Sequence, residues 1–199
     1  MSGHGISEHQ LYSGEEPCEE FLILVNAGHA LAEDIPEPLV PVHPQAPSIL
    51  MRSSAAVMLS RLMQDIHGWK GIVPVSGWRS REEQQAIWDS SLQENGLTFT
   101  QKYVALPGHS EHQTGLAIDL GLRQDHIDFI CPEFPDTGIC RLFREKASDY
   151  GFILRYPPGK EHITGISHEP WHFRYVGRPH AQIMEQEGLT LEEYVARIG

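Results

Sequence analysis

From Gly115 to Leu120 the chain alternates Gly115, Ala117 and Asp119 with Leu116, Ile118 and Leu120. A period of two is that of a β-strand, whose successive side chains point to opposite faces of a sheet. If the three aliphatic residues build the core, the Asp119 carboxylate faces a cleft. Gly115 and Ala117 then leave room beside it, for a ligand or for a closely approaching backbone. His112 precedes the strand by a turn and is placed to converge on Asp119. A second segment, Glu169-Pro-Trp-His172-Phe-Arg-Tyr175, also concentrates ligand-type residues. Pro170 biases Glu169 towards extended backbone, which excludes a helical metalloprotease motif. As a strand, this segment shows Trp171, Phe173 and Tyr175 on one face, more often core than substrate platform, and His172 and Arg174 on the other.

Around these segments the pattern predicts short elements. Phe21–Val25 reads as a strand, and the connector Ile35–Pro47 carries five prolines that forbid regular helix. Ser53 to His67 repeats apolar residues at helical spacing and Gly68 closes it, while Ile72–Val75 reads as a strand. Ser80 with Glu83 forms a capping box for a helix towards Gly96, with Gln84, Ile87, Ser91 and Leu92 facing inward. Residues 97–111 read as an ordered irregular loop and Asp125–Gly138 as an insertion-like stretch. Leu142–Tyr150 is helical, Phe152–Arg155 and Trp171–Val176 are strands, and two short helices end the chain, the second capped by Thr190 and Glu193. Helices followed by strands paired at short range imply an α+β fold with a central, mainly antiparallel sheet flanked by helices.

Charge narrows the partners. Lys and Arg number 15 and Asp and Glu 27, so the net charge is 15 − 27 = −12. No Lys or Arg precedes Arg52, and the eight acids before it leave −12 + 8 = −4 on the remainder. Nucleic acid and anionic membrane are thereby excluded as partners, since both need a basic face. The length suits one domain, read as residues 21–199 behind an acidic arm at 1–20. Three cysteines without CxxC spacing suggest neither a disulfide framework nor a thiolate zinc site. With no secretory signal pattern, the reading is cytoplasmic.

Two histidines, one carboxylate and an open position form the donor set of a catalytic zinc centre. His112, Asp119 and His172 supply it, Glu169 is the candidate base, and Arg79 at a strand-to-helix junction is the candidate oxyanion partner. A His and an Asp seven residues apart also arise by chance, and Glu-x-x-His alone is weaker still. Shared strand placement is what makes the combination a candidate mononuclear site.

The pattern Ser110-x-His112-x-x-Gly115-x-Ala117-x-Asp119, followed by Glu169-x-x-His172, resembles the zinc D-Ala-D-Ala metallopeptidases. Their fold is shared with lysostaphin-type peptidases and hedgehog domains. The resemblance runs from about Val75 to Gly177, and Glu94–Leu97, Ala105–Gly108 and Gly151–Tyr156 make it most similar to bifunctional D,D-dipeptidase/D,D-carboxypeptidases of the VanXY type. It implies one zinc per chain on His112, Asp119 and His172, with Glu169 as base and Arg79 stabilising the tetrahedral intermediate. It also implies substrate contacts from Ser110 and Gln84. The implied substrates are D-Ala-D-Ala and UDP-muramyl-pentapeptide, whose trimming confers vancomycin resistance. A murein endopeptidase cutting L-Ala-D-Glu bonds and a non-catalytic zinc-containing binding module are the alternatives.

Overall fold

The computed structural model describes residues 19–31 and 38–199. Most of the expected acidic arm and the start of the proline-rich connector therefore lie outside the described residues. Four strands form an antiparallel sheet in the order β3 (Ile72–Ser76), β4 (Ala117–Leu122), β6 (His172–Tyr175), β5 (Phe152–Leu154). A separate antiparallel ribbon pairs β1 (Leu39–His43) with β2 (Ala46–Arg52). The expected α+β architecture is thus observed.

The alternation read from the sequence divides this sheet into two faces. Leu116, Ile118 and Leu120 are completely buried, and they join Leu59, Leu62 and Met63 of α1 (Ser53–Asp65) and Phe173 of β6 in the main core. On β5 the faces separate in the same way, with Phe152 in the main core and Ile153 in a second cluster. That second cluster includes Leu22, Val176, Met184 of α6 (His180–Glu187) and Leu191 and Tyr194 of α7 (Leu191–Ile198). The site occupies the polar remainder of this second face.

Both expected capping boxes are present, Ser80 with Glu83 starting α2 (Arg81–Asn95) and Thr190 with Glu193 starting α7. Four expectations need correction. Phe21–Val25 is not a strand: Glu19–Phe21 forms a 3-10 turn, and the backbone carbonyls of Phe21 and Ile23 accept hydrogen bonds from the Arg174 guanidinium, with no strand ladder. The proline-rich connector ends in the β1–β2 ribbon, where Pro41 and Pro47 are tolerated because each strand has a free edge. Residues 97–111 contain α3 (Leu97–Tyr103), anchored by buried Thr100, whose hydroxyl reaches Ser91 Oγ and the Gly96 carbonyl. Of the four residues expected to face inward on α2, Gln84 and Ser91 are buried and Ile87 is half-buried, but Leu92 is exposed. In addition, α1 ends at Asp65 and the left-handed position falls on His67 (φ 53°), one residue before the expected Gly68.

Candidate active site

Strand register brings the two motifs together. Asp119 is the cross-strand partner of His172 on one side and of Ser76 on the other. The end of β3 thus delivers Gly77, Trp78 and Arg79 to the same place, and the Arg79 amide donates to the His112 carbonyl. His112 sits on a 3-10 turn at Glu111–Thr114 whose end is Gly115, at φ +68°. A Cβ on Gly115 would meet Leu39 Cδ2 at 3.0 Å and the Arg52 backbone nitrogen at 3.3 Å. Of the two reasons offered for a small residue there, close backbone approach is the one realised.

His112, Asp119 and His172 are all buried, and each offers a ligand atom within 4.8 Å of the others. His112 Nε2 lies 3.1 Å from Asp119 Oδ2, and His172 Nδ1 lies 2.9 Å from Asp119 Oδ1. The remaining ring nitrogens are backed from behind. His112 Nδ1 donates to the Gly77 carbonyl at 2.7 Å, and His172 Nε2 faces Glu111 Oε2 at 3.4 Å. Backing of this kind fixes the tautomer of a metal-binding imidazole. This is the only group of three or more such residues among the described ones.

Electrostatics agree with a cation site. Burial would raise the Asp119 pKa, but His112 and His172 outweigh it and hold the carboxyl well below the usual range. Burial, with the Arg79 charge, pushes His112 down to about 4, leaving its Nε2 lone pair available. Burial also opposes a charge on His172, but hydrogen bonds to Asp119 and Glu111 prevail and push it up to about 9. A metal ion would compete with the Nδ1 proton of that ring. The donor set, one ionised carboxylate and two imidazoles with their far nitrogens already engaged, fits zinc.

Glu169 and Arg79 flank the cluster. Glu169 Oε2 is 3.8 Å from His172 Nδ1, and burial, then the charges of Asp119 and Glu111, push its pKa up to about 8 against the opposing pull of His172 and Arg79. The guanidinium of Arg79 reaches within 3.7 Å of Asp119 Oδ2, and its buried Nε has no partner. The cluster, Glu169, Arg79, Ser110 and Gln84 all line one cleft of about 510 Å³ including its open mouth, with Tyr103, Trp171 and Ile166 among its apolar walls. Gln84 is buried; its Nε2 donates to the Ala105 carbonyl at 2.7 Å while its Oε1 has no partner. The structure therefore brings together all seven residues singled out from the sequence.

Two cleft residues were missed. Tyr156 lines the cleft with its ring 5.0 Å from that of His172. Glu111 is completely buried between Arg155 and Arg174, which outweigh burial and hold its carboxyl well below the ordinary range. These partners stand 44 and 63 residues away, so no local pattern marks Glu111.

A buried carboxylate and two backed imidazoles, open to a cleft that also holds a carboxyl and a guanidinium, define the donor arrangement of a mononuclear metallohydrolase. The chain matches VanY, the D-alanyl-D-alanine carboxypeptidase family, over residues 48–178, and it belongs to that family. It is 46% identical over 175 residues to the bifunctional D-Ala-D-Ala dipeptidase and D-Ala-D-Ala carboxypeptidase VanXYC of Enterococcus gallinarum, covering 87% of this chain and 92% of that protein. Among solved structures it resembles the vancomycin-resistance D,D-dipeptidase VanXYg in complex with a D-Ala-D-Ala phosphinate analogue, at 57% identity and a TM-score of 0.87 over 89% of this chain and 70% of that one. It also resembles the D,D-pentapeptidase VanY from a VanB-type resistance cassette, solved in complex with Zn(II), at 33% identity and a TM-score of 0.74 over 88% and 98% of the two chains.

Proposed function

We propose that this protein is a cytoplasmic zinc D,D-peptidase that hydrolyses D-Ala-D-Ala and removes the terminal D-Ala from UDP-muramyl-pentapeptide, conferring glycopeptide resistance. The observation that carries this reading is the convergence of His112, Asp119, His172, Glu169 and Arg79 on one cleft. A single zinc on the three ligands is part of the proposal. When bound, zinc supplies Lewis acidity, making water nucleophilic near neutral pH and polarising the scissile carbonyl.

The chain's own residues do the rest. Glu169 takes a proton from the attacking water and returns it to the leaving D-Ala amine. Burial raises the proton affinity of this carboxyl above that of an ordinary glutamate, which suits a group that accepts a proton and passes it on. Arg79 donates N–H groups to the carbonyl oxygen as it becomes negative. Ser110 contacts the substrate. With its amide nitrogen spent on Ala105, Gln84 presents an acceptor, so it binds an N–H of the substrate backbone. Among the described residues no helix is long and apolar enough to cross a membrane. A zinc-containing binding module would need neither Glu169 nor Arg79 beside its metal.

Glu169→Ala tests the assignment. Turnover of D-Ala-D-Ala should fall to background while one zinc per chain is retained. Loss of zinc along with activity would make Glu169 a ligand or a fold residue and overturn its role as base.

A further inference from the structure

Behind His172, from Glu111 at the back of the cleft to Glu192 at the partly exposed rim, runs a chain of mostly buried charges that the reaction itself does not use. Glu111 Oε2 faces His172 Nε2 at 3.4 Å, while Oε1 accepts from Arg155 Nε at 2.7 Å and Arg174 NH1 at 2.8 Å. The outer edge of Arg155 forms a bidentate pair with Glu192 of α7, at 2.8 and 2.6 Å. Two carboxylates and two guanidiniums balance, so the assembly carries no net charge into the interior. Because one Glu111 oxygen is occupied by both guanidiniums, the other is aimed at the imidazole.

We infer that Glu111 is a positioning residue for the metal-binding ring of His172, and that Glu192 acts on the same ring through Arg155. The inference rests on the zinc peptidase reading. An imidazole that donates Nε2–H to a carboxylate is fixed in the tautomer that turns the Nδ1 lone pair towards Asp119 and a cation, and its basicity rises. How much Glu111 charge reaches His172 depends on how strongly Arg155 draws on it. Glu192 takes up part of that draw. Removing the Glu192 charge leaves Arg155 to pair with Glu111 alone, which weakens the hold on His172. Glu192 lies beyond residues 48–178, the span that matches the family, so the C-terminal helix becomes part of the metal site's support.

The test measures zinc affinity of the full chain by chelator competition, together with the visible spectrum of the Co(II)-substituted protein. Glu111→Gln should weaken zinc binding by roughly 10–100-fold and shift the Co(II) bands, as loss of a partner behind a ligand does. That variant leaves two buried guanidiniums short of an anion, at a cost to folding. Glu192→Gln, at the rim, covers that case: it should weaken zinc binding in the same direction by up to about tenfold. Glu193→Gln is the control. It removes the charge paired with Lys160 at 3.1 Å, which has no link to His172, while the amide oxygen of glutamine can still accept from the Thr190 amide that caps the helix. Zinc affinity should be unchanged in Glu193→Gln. Equal weakening in Glu192→Gln and Glu193→Gln, or weakening in neither, would overturn the inference. Wild type is measured alongside. If it neither binds zinc nor releases D-Ala, the peptidase reading fails; if it does both and Glu192→Gln matches it, only the positioning role fails.

Discussion

Glu169→Gln should change how the stability of the metal-free protein depends on pH. In the folded chain the Glu169 carboxyl titrates at about 8 rather than 4.5, because of burial, and His172 at about 9 rather than 6.5, because its hydrogen bonds to Asp119 and Glu111 outweigh burial. Both pKa values are raised on folding, so the folded state holds protons that the unfolded state releases. Their stabilisation is complete below the unfolded pKa and is lost as pH rises through the folded one. His112, depressed to about 4, acts mainly below pH 6.5 and opposes the loss above it by only a few tenths of a kcal/mol. Between pH 6.5 and 8 these shifts amount to a loss of about 3 kcal/mol, with Glu169 and His172 contributing about half each. Glu169→Gln removes one of the two protons and keeps the shape, so about half of the loss should remain. Urea unfolding in excess chelator at pH 6.5 and pH 8 measures both differences. If stability rises over this interval, or if the variant retains the full wild-type loss, the buried, proton-holding state of Glu169 is refuted. With zinc present the dependence should reverse, since the cation displaces the His172 proton and binds better as pH rises.

Further variants test the other roles. Arg79→Ala should lower kcat by roughly 10²–10³, as loss of one oxyanion donor does, whereas a change confined to KM would make Arg79 a substrate clamp. His112→Ala should reduce zinc content on dialysis, and an unchanged content would remove His112 from the ligand set. Phe21 packs edge-on against Tyr175 at 5.0 Å, so Phe21→Ala should cost about 3–5 kcal/mol in urea unfolding, while a chain lacking residues 1–18 should match wild type in turnover. An inactive truncation would place that segment in the working domain.

Much of the site could be read from the sequence because its key contacts are set by local periodicity. Alternation alone placed Asp119 opposite the three buried aliphatics, and the Ser80–Glu83 box placed Arg79 just before a helix. The residues that escaped are those whose surroundings come from distant chain. Glu111 reads as a surface acid on a polar turn until Arg155 and Arg174 arrive beside it. Phe21–Val25 has the composition of a strand, yet Arg174 takes two of its carbonyls and no strand pairs with it. In α3, Thr100 is buried while Leu97 is exposed, which inverts the apolar pattern by which a helix is recognised. The ribbon of β1 and β2 was hidden by Pro41 and Pro47, which exclude helix but are compatible with an edge.

The most direct measurement is D-Ala release from D-Ala-D-Ala and from UDP-muramyl-pentapeptide, by the purified chain, before and after chelation and after zinc is restored. Release from both substrates, abolished by chelator and recovered with about one zinc per chain, is the expected result. Release that persists in the metal-free protein, or no release from either substrate in the zinc-loaded one, would contradict the assignment of this cleft as a zinc D,D-peptidase site.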